Sequence, residues 1–413
     1  MSIVVLGAGV AGLSAALYLR RAGLAVTVLD PLGPAGGASF GNAGLLSPQT
    51  VVPLALPGML RKVPGWLRDP LGPLTVRPSY AAKAMPWLMR WVNESRMARV
   101  LENAKALKAL HAPAMTCWRE LLGEEAYRDL IRETGQVQVW EGDAVSPSAA
   151  VEADLRERHG IKAEALGADE LRQIFPGLAR SVTRGLLVPG NGHTVNPARL
   201  VQTLAALFQA EGGTILPERA EGLIPTEGGA WLVMSNHANH RATQVLVAGG
   251  AWSGRLLEPL GIRLPLEAER GYHAHLFDPS VTPRLPIMNK TVGFGLTPME
   301  DGLRAAGTVE FAGLEAAPDE RRAMRLAENA KRLFPDLAHT EARFWLGRRP
   351  SFPDSLPVLG GVASRPGLFL CFGHGHFGMT AGPPSGRIVA CMMQSIRPEI
   401  DPAPYSAARF GVA

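Results

Sequence analysis

Three glycines and one acid near the amino terminus carry the most specific chemistry in this chain. Gly7, Gly9 and Gly12 follow the apolar run Ile3–Leu6, and Asp30 closes a second apolar run, Val26–Leu29. In a strand–turn–helix–strand unit this spacing cradles a pyrophosphate. Gly7 permits the tight turn, Gly9 lets the backbone approach the ligand, and Gly12 lets the helix pack close to the sheet. The free amides at the helix start, around Val10 and Ala11, face the phosphate charge. Asp30, about 20 residues past the motif, can accept the ribose hydroxyls, with Pro31 beside it. The competing reading is a glycine turn that binds nothing.

Other residues invite chemistry and are weaker signals. Two His-x-His pairs, His273-Ala274-His275 and His374-Gly375-His376, suggest zinc by residue type alone. No acid or cysteine clusters with them in sequence, so no metal site is expected; His273 or His376 lining a pocket is the better reading. The three cysteines, Cys117, Cys371 and Cys391, form no Cys-x-x-Cys pair, which points to a reducing compartment without a disulfide framework.

The bulk numbers frame these sites. A chain of 413 residues, 46% hydrophobic and 19% charged, can bury one large core or two and is not disordered. No apolar run is long enough to span a bilayer, and a strand starting at residue 3 leaves no room for a signal peptide. A cytoplasmic location is expected. The net charge of +5 is unevenly spread. Residues 61–99 hold eight basic side chains against two acids, a net +6, interleaved with Trp66, Trp87 and Trp91 and broken by prolines; the remainder sums to −1. Two readings compete: an irregular excursion at 55–99 that covers an active site, or a peripheral contact with an anionic membrane, the inner membrane in a bacterial cell. Nucleic acid is not an expected partner, since no compact basic motif or nucleic-acid module is present.

The elements that must position the cradle follow from periodicity. Residues 97–122 read as helical with Pro113 interrupting, and Gln136–Trp140 alternates as a half-buried strand. Asn196-Pro197 is a cap and first-turn pair that opens a helix to Glu211. Thr214–Leu216 is a strand, a hairpin turns at Gly228-Gly229, and Gln244–Ala248 is a buried strand running into glycines. Asp319–Phe334 is helical. Gly367–Phe372 is a buried strand that breaks into a glycine-rich turn, with a helix starting around Gly386. Both ends of the chain therefore build sheet–glycine–helix units around a more antiparallel middle. The expected fold class is α/β (α+β overall), a Rossmann-type domain interleaved with a mixed, antiparallel-sheet domain.

Five segments, in order, resemble the FAD-dependent D-amino-acid dehydrogenase and glycine (sarcosine) oxidase group of amine-oxidising flavoproteins, most closely the dehydrogenase subgroup. They are Gly7–Gly12 with Asp30, Ala38–Pro48, Ala248–Ser253, Gly347–Pro350 leading to Pro353–Gly360, and Gly373–Gly378. The resemblance spans nearly the whole chain. Asp30 stands where this group often has Glu, which leaves ribose binding intact.

The resemblance implies an extended FAD held by residues 1–48, 193–259 and 340–413, with 49–192 and 260–339 forming the substrate-binding domain. It places cofactor contacts at Ala38, Ser39, Asn42, Ala43, Gly44 and Leu45, at Ala220, at Ala248, Gly249 and Trp252, and at Gly375, His376, Phe377, Gly378 and Met379. The small residues of that last turn can bring backbone amides to the flavin edge where negative charge develops. It implies Arg349 as the fork that pairs with a substrate carboxylate. Arg348 would point elsewhere if the segment is extended, into a surface or structural ion pair. Tyr272 would add a hydroxyl to the same carboxylate, unless it is a packing tyrosine, and Asn42 and His376 would line the pocket.

The implied reaction is oxidative deamination of a D-amino acid, including cyclic ones such as D-proline or a hydroxyproline, with electrons passed to a quinone or another carrier. A glycine/sarcosine-type oxidase using oxygen is the nearest alternative. An NAD(P)H-driven flavoprotein would need a second nucleotide fingerprint, and Gly249–Gly254 has the wrong spacing. A flavin-binding tRNA-modifying protein or a purely structural one is further away.

Overall fold

The computed structural model describes residues 2–59, 65, 69, 71–142 and 144–412. Part of the basic excursion, 60–64, 66–68 and 70, lies outside the described residues.

A six-stranded sheet carries the amino-terminal motif. Across it the strands run Thr214–Leu216, Ala25–Leu29, Ser2–Leu6, Gln244–Val247, Arg365–Phe372 and Val358–Val362. All neighbours are parallel except the last pair. Val5, Val28, Val245, Leu246 and Leu370 have no measurable exposure, which explains why these segments read as continuous apolar runs.

Helix Val10–Arg21 follows the first strand and crosses helix Gly378–Met393 at very short range. A Cβ on Gly382 would lie 2.9 Å from Val10, and one on Gly386 would lie 2.6 Å from the Ala15 nitrogen. Two glycines four residues apart thus make the groove into which the first helix settles. This helix begins at Gly378, earlier than the sequence suggests. Pro383 and Pro384 lie inside it, where burial against the first helix outweighs the missing proline donors.

A nine-stranded mixed sheet forms the second layer. Its order is Glu341–Ser351, Glu267–Phe277, Gly302–Phe311, Phe294–Met299, Ile287–Asn289, Gln136–Glu141, Val182–Val188 and Glu164–Gly167, with Leu74–Val76 pairing alongside Val309–Phe311. One face is sealed by helix Glu320–Leu333, capped by the Asp319 side chain. Val137, Val139, Ala274, Leu296 and Ala305 pack there with Leu326 and Leu333. The other face is paved with small residues, Gly271, Gly295, Ala306 and Gly307, and borders a cavity.

Two boundaries differ from the sequence partition. Strand Glu341–Ser351 pairs along its whole length with Glu267–Phe277, so it belongs to the nine-stranded sheet and not to the nucleotide unit. Helices Met97–His111 and Ala114–Leu130, separated at Pro113, send Leu107, Leu110, Trp118 and Leu121 into the core around the first helix. Sequence periodicity identifies an apolar face and not the layer that receives it.

Candidate active site

The cavity between the two sheets encloses about 1540 Å³ and runs from the glycine turn to the floor of the large sheet. Of the expected site residues, only Gly12 and Gly44 do not line it. Both are structural. A Cβ on Gly12 would lie 2.0 Å from the Gly7 oxygen; Gly44 has φ +77° and its oxygen accepts from the Thr194 amide at 2.8 Å.

The nucleotide end is built from backbone. Gly7 sits at φ +120°, and a Cβ there would strike the Ala248 oxygen at 2.4 Å. A Cβ on Gly9 would meet only Ser39 Oγ, at 3.4 Å, so the protein itself leaves that side open. The first helix has no side-chain cap and no acid in its first turn, which keeps its positive end available to an anion. Val10 N–H alone is taken, donating to Ser39 Oγ at 3.2 Å. Asp30 accepts from Ala8 N–H and Leu32 N–H, both at 2.8 Å. Burial raises its carboxyl above the ordinary value although these backbone donors oppose the shift. Pro31, Ala220, Gly249 and Trp252 complete this end of the cavity wall.

Segment 38–47 joins the two layers. Asn42 Oδ1 accepts from Gly44 N–H at 2.9 Å, and the Asn42 carbonyl accepts from Arg304 Nη1 at 2.8 Å. The Asn42 side chain therefore shapes its own turn. His273 Nδ1–H donates to the Gly41 carbonyl at 2.9 Å, a tautomer required because a carbonyl can only accept. The His273 ring stacks on Trp345 at 5.2 Å, and a Cβ on Gly41 would penetrate that indole at 2.1 Å.

Arg349 and Glu269 face one another across neighbouring strands. The Arg349 guanidinium lies flat over Gly271, where a Cβ would sit 2.1 Å from Cζ. Among the described residues its one hydrogen bond runs from Nη1 to the Thr308 carbonyl, at 2.9 Å. Thr308 holds φ +62°, a strained turn that aims this carbonyl at the guanidinium. The rest of the fork opens on the cavity. Arg348 borders the cavity beside Trp252, donating to the Leu314 carbonyl at 2.6 Å with its guanidinium 5.6 Å from the Trp252 ring centre. It forms a cation–π contact and not the expected ion pair.

Glu269 is the residue that sequence reasoning missed. It is 3% exposed, and its Oε2 lies 2.7 Å from His376 Nε2. Burial would raise its carboxyl, but His376, Arg349 and Ser351 together hold it below the ordinary carboxylate range. Nothing in Glu-Arg-Gly-Tyr-His marks this glutamate, because its partners lie about 80 and 107 residues downstream.

Tyr272 is corrected. Its hydroxyl donates to Glu310 Oε2 at 2.8 Å and accepts from Asp319 N–H at 3.0 Å. Strand alternation turns it to the face under helix Glu320–Leu333, away from Arg349, so its hydroxyl does not reach a carboxylate held there. It is the packing tyrosine.

His374 and His111 are buried. His374 shares a hydrogen bond with Ser385 Oγ at 3.0 Å, and His111 donates from Nδ1 to the Thr50 carbonyl at 2.9 Å. No group of side chains among the described residues could hold a metal ion. Burial pushes His111 down to about 4, and His273 and His374 down to about 3, so all three are neutral in the folded protein at pH 7. Each regains its ordinary affinity for a proton on unfolding, near pH 6.5. Acid therefore favours the unfolded chain progressively below that pH. We expect Tm to fall steadily between pH 6.5 and 4; a flat Tm over that range contradicts the assignment.

The described part of the excursion borders the cavity, and over Ala81–Glu94 it is a regular helix and not the irregular stretch expected. Helix Ala81–Glu94 buries Trp87, whose Nε1–H donates to the Ser351 carbonyl at 3.3 Å, and Leu88 and Trp91 line the cavity wall. Arg77 pairs with Glu310 at 2.7 Å, and Tyr80 OH donates to Glu267 at 3.1 Å, fastening this cover to strands Gly302–Phe311 and Glu267–Phe277. No helix among the described residues is long and apolar enough to cross a membrane.

A family model described as FAD dependent oxidoreductase (DAO) matches residues 2–392. The chain is 37% identical to a D-amino-acid oxidase of Bradyrhizobium diazoefficiens, over 99% of this chain and 98% of that protein. It is 32% identical to a D-amino acid dehydrogenase of Rhizorhabdus wittichii, over 99% of this chain and 100% of that protein. A glycine oxidase structure from Geobacillus kaustophilus superposes with TM-score 0.71 at 21% identity, covering 98% of each chain, a likeness of fold. The open side of Gly9, the uncapped helix start and the continuous cavity fit the family's FAD on this chain's own geometry. With cradle, cavity and family match in agreement, the chain belongs to the DAO family of FAD-dependent oxidoreductases.

Proposed function

We propose that this enzyme oxidatively deaminates a D-amino acid, giving an imino acid that hydrolyses to a 2-oxo acid and ammonia. The observation that carries the reading is the Arg349 fork. It lies over Gly271 with one hydrogen bond among the described residues, opening on the cavity that begins at the glycine turn. When bound, FAD supplies the two-electron acceptor.

The chain's residues do the rest. Arg349 binds the substrate carboxylate bidentately and so fixes the α-carbon. Glu269 holds His376 at the cavity wall and keeps a compensating negative charge behind Arg349. The helix cover over Trp87, Leu88 and Trp91 limits water at the reacting carbon. The turn at Gly375–Gly378 presents backbone beside the cavity for charge stabilisation. In this reading the electrons leave to a quinone or another carrier. The relative named D-amino-acid oxidase supports oxygen as the second reading.

The test is anaerobic. D-amino acids, including D-proline, are expected to bleach the flavin absorbance, and their L-enantiomers are not. Bleaching by NADPH alone, or by L-forms alone, overturns the proposal. Oxygen uptake without added dye then separates oxidase from dehydrogenase.

A further inference from the structure

The cavity floor continues past the small residues under Arg349 to strand Gln136–Glu141. Alternation there sends Val137 and Val139 into the core under helix Glu320–Leu333, and turns Gln136, Gln138 and Trp140 toward the cavity. A pattern that reads as a solvent-facing polar stripe in sequence is an interior wall.

The two glutamines differ. Gln136 Oε1 accepts from Asn191 Nδ2 at 3.1 Å and from Ser47 Oγ at 3.3 Å, within a network that ties segment 45–49 to this strand. Gln138 has no such partner. Its Oε1 is buried and makes no hydrogen bond, and no described residue bonds its Nε2. With Oε1 sealed from the cavity, Nε2 is the amide atom left to a ligand, as a donor to an oxygen acceptor. Trp140, Met288, Leu56 and Ile161 line the same lobe. At its end a single carboxylate, Glu152, is shared by Lys290 at 3.4 Å and Arg156 at 3.9 Å.

We propose that this lobe is a subsite for the substrate side chain, and that it takes an aromatic ring ending in a hydroxyl, a phenol, whose oxygen accepts from Gln138 Nε2. The inference rests on the amino-acid reading above. Apolar walls suit the ring, and the free Nε2–H suits a hydroxyl oxygen at its tip.

The experiment measures kcat/KM of the holoenzyme for D-tyrosine and D-phenylalanine, which differ by one hydroxyl. The wild-type protein is expected to favour D-tyrosine about tenfold, the worth of one hydrogen bond in a dry site. Gln138→Leu is expected to bring the ratio to about one, and Gln138→Met, a second apolar replacement of similar length, to do the same. The ratio does not depend on overall activity, and flavin absorbance confirms that each variant is loaded. Absence of a tyrosine preference in the wild type, or its persistence in both variants, overturns the subsite. Failure of the wild type to oxidise D-alanine and every other D-amino acid overturns the underlying reading, and this one with it.

Discussion

Replacing Arg349 with leucine is expected to lower kcat/KM for a D-amino acid by more than a hundredfold while leaving FAD bound. Removing one partner of a desolvated, hydrogen-bonded charge pair costs about 2–5 kcal/mol, and here the substrate carboxylate would lose its fork. The loss is expected chiefly in KM, because the group lost binds substrate and transition state alike. Glu269 makes the result more severe. With Arg349 gone, a buried carboxylate held by His376 would face the incoming one. Arg349→Lys tests geometry separately from charge, since an ammonium cannot reproduce two parallel N–H bonds; it should recover only part of the activity. The measurements are steady-state kinetics and the visible flavin spectrum of each variant. Retention of activity within fivefold in Arg349→Leu would remove the carboxylate anchor from this site.

The second large effect is expected at Gly9. Its Cβ position is open, with Ser39 Oγ at 3.4 Å as the one neighbour, whereas Cβ atoms at Gly7 and Gly12 would strike backbone oxygens at 2.4 and 2.0 Å. Gly9→Ala should therefore fold with an apo Tm close to wild type. A methyl pressed against a bound pyrophosphate has the character of an overpacked contact, about 1–3 kcal/mol, so FAD affinity should fall by roughly ten- to a hundredfold. Gly12→Ala should lose both flavin and stability, because the clash is with the protein itself. Titration of apoprotein with FAD, beside thermal melts, separates the two. If Gly9→Ala binds FAD as tightly as wild type, the phosphate does not lie where the glycine turn implies.

Both experiments bear on what the chain's local chemistry determines. The turn at Gly7, Gly9 and Gly12 and the strand ending at Asp30 were legible because strand, turn and helix form one local unit. Residue spacing alone encodes it. The Asn196-Pro197 start and the break at Pro113 were legible for the same reason: capping and proline chemistry act over a few residues. The five-segment resemblance singled out Arg349, which local pattern could not have done.

The tertiary structure decided the faces. Tyr272 and Gly271 are neighbours in sequence, yet one lies under helix Glu320–Leu333 and the other under the Arg349 guanidinium. Glu269 meets His376 and Arg349, and Gln138 meets a cavity that other strands enclose, only once the chain is folded. Alternation in a strand establishes that two faces differ; it carries no information about which face meets a core, a solvent or a cavity. That depends on which strands pair and which helix covers them, contacts between residues tens to hundreds of positions apart.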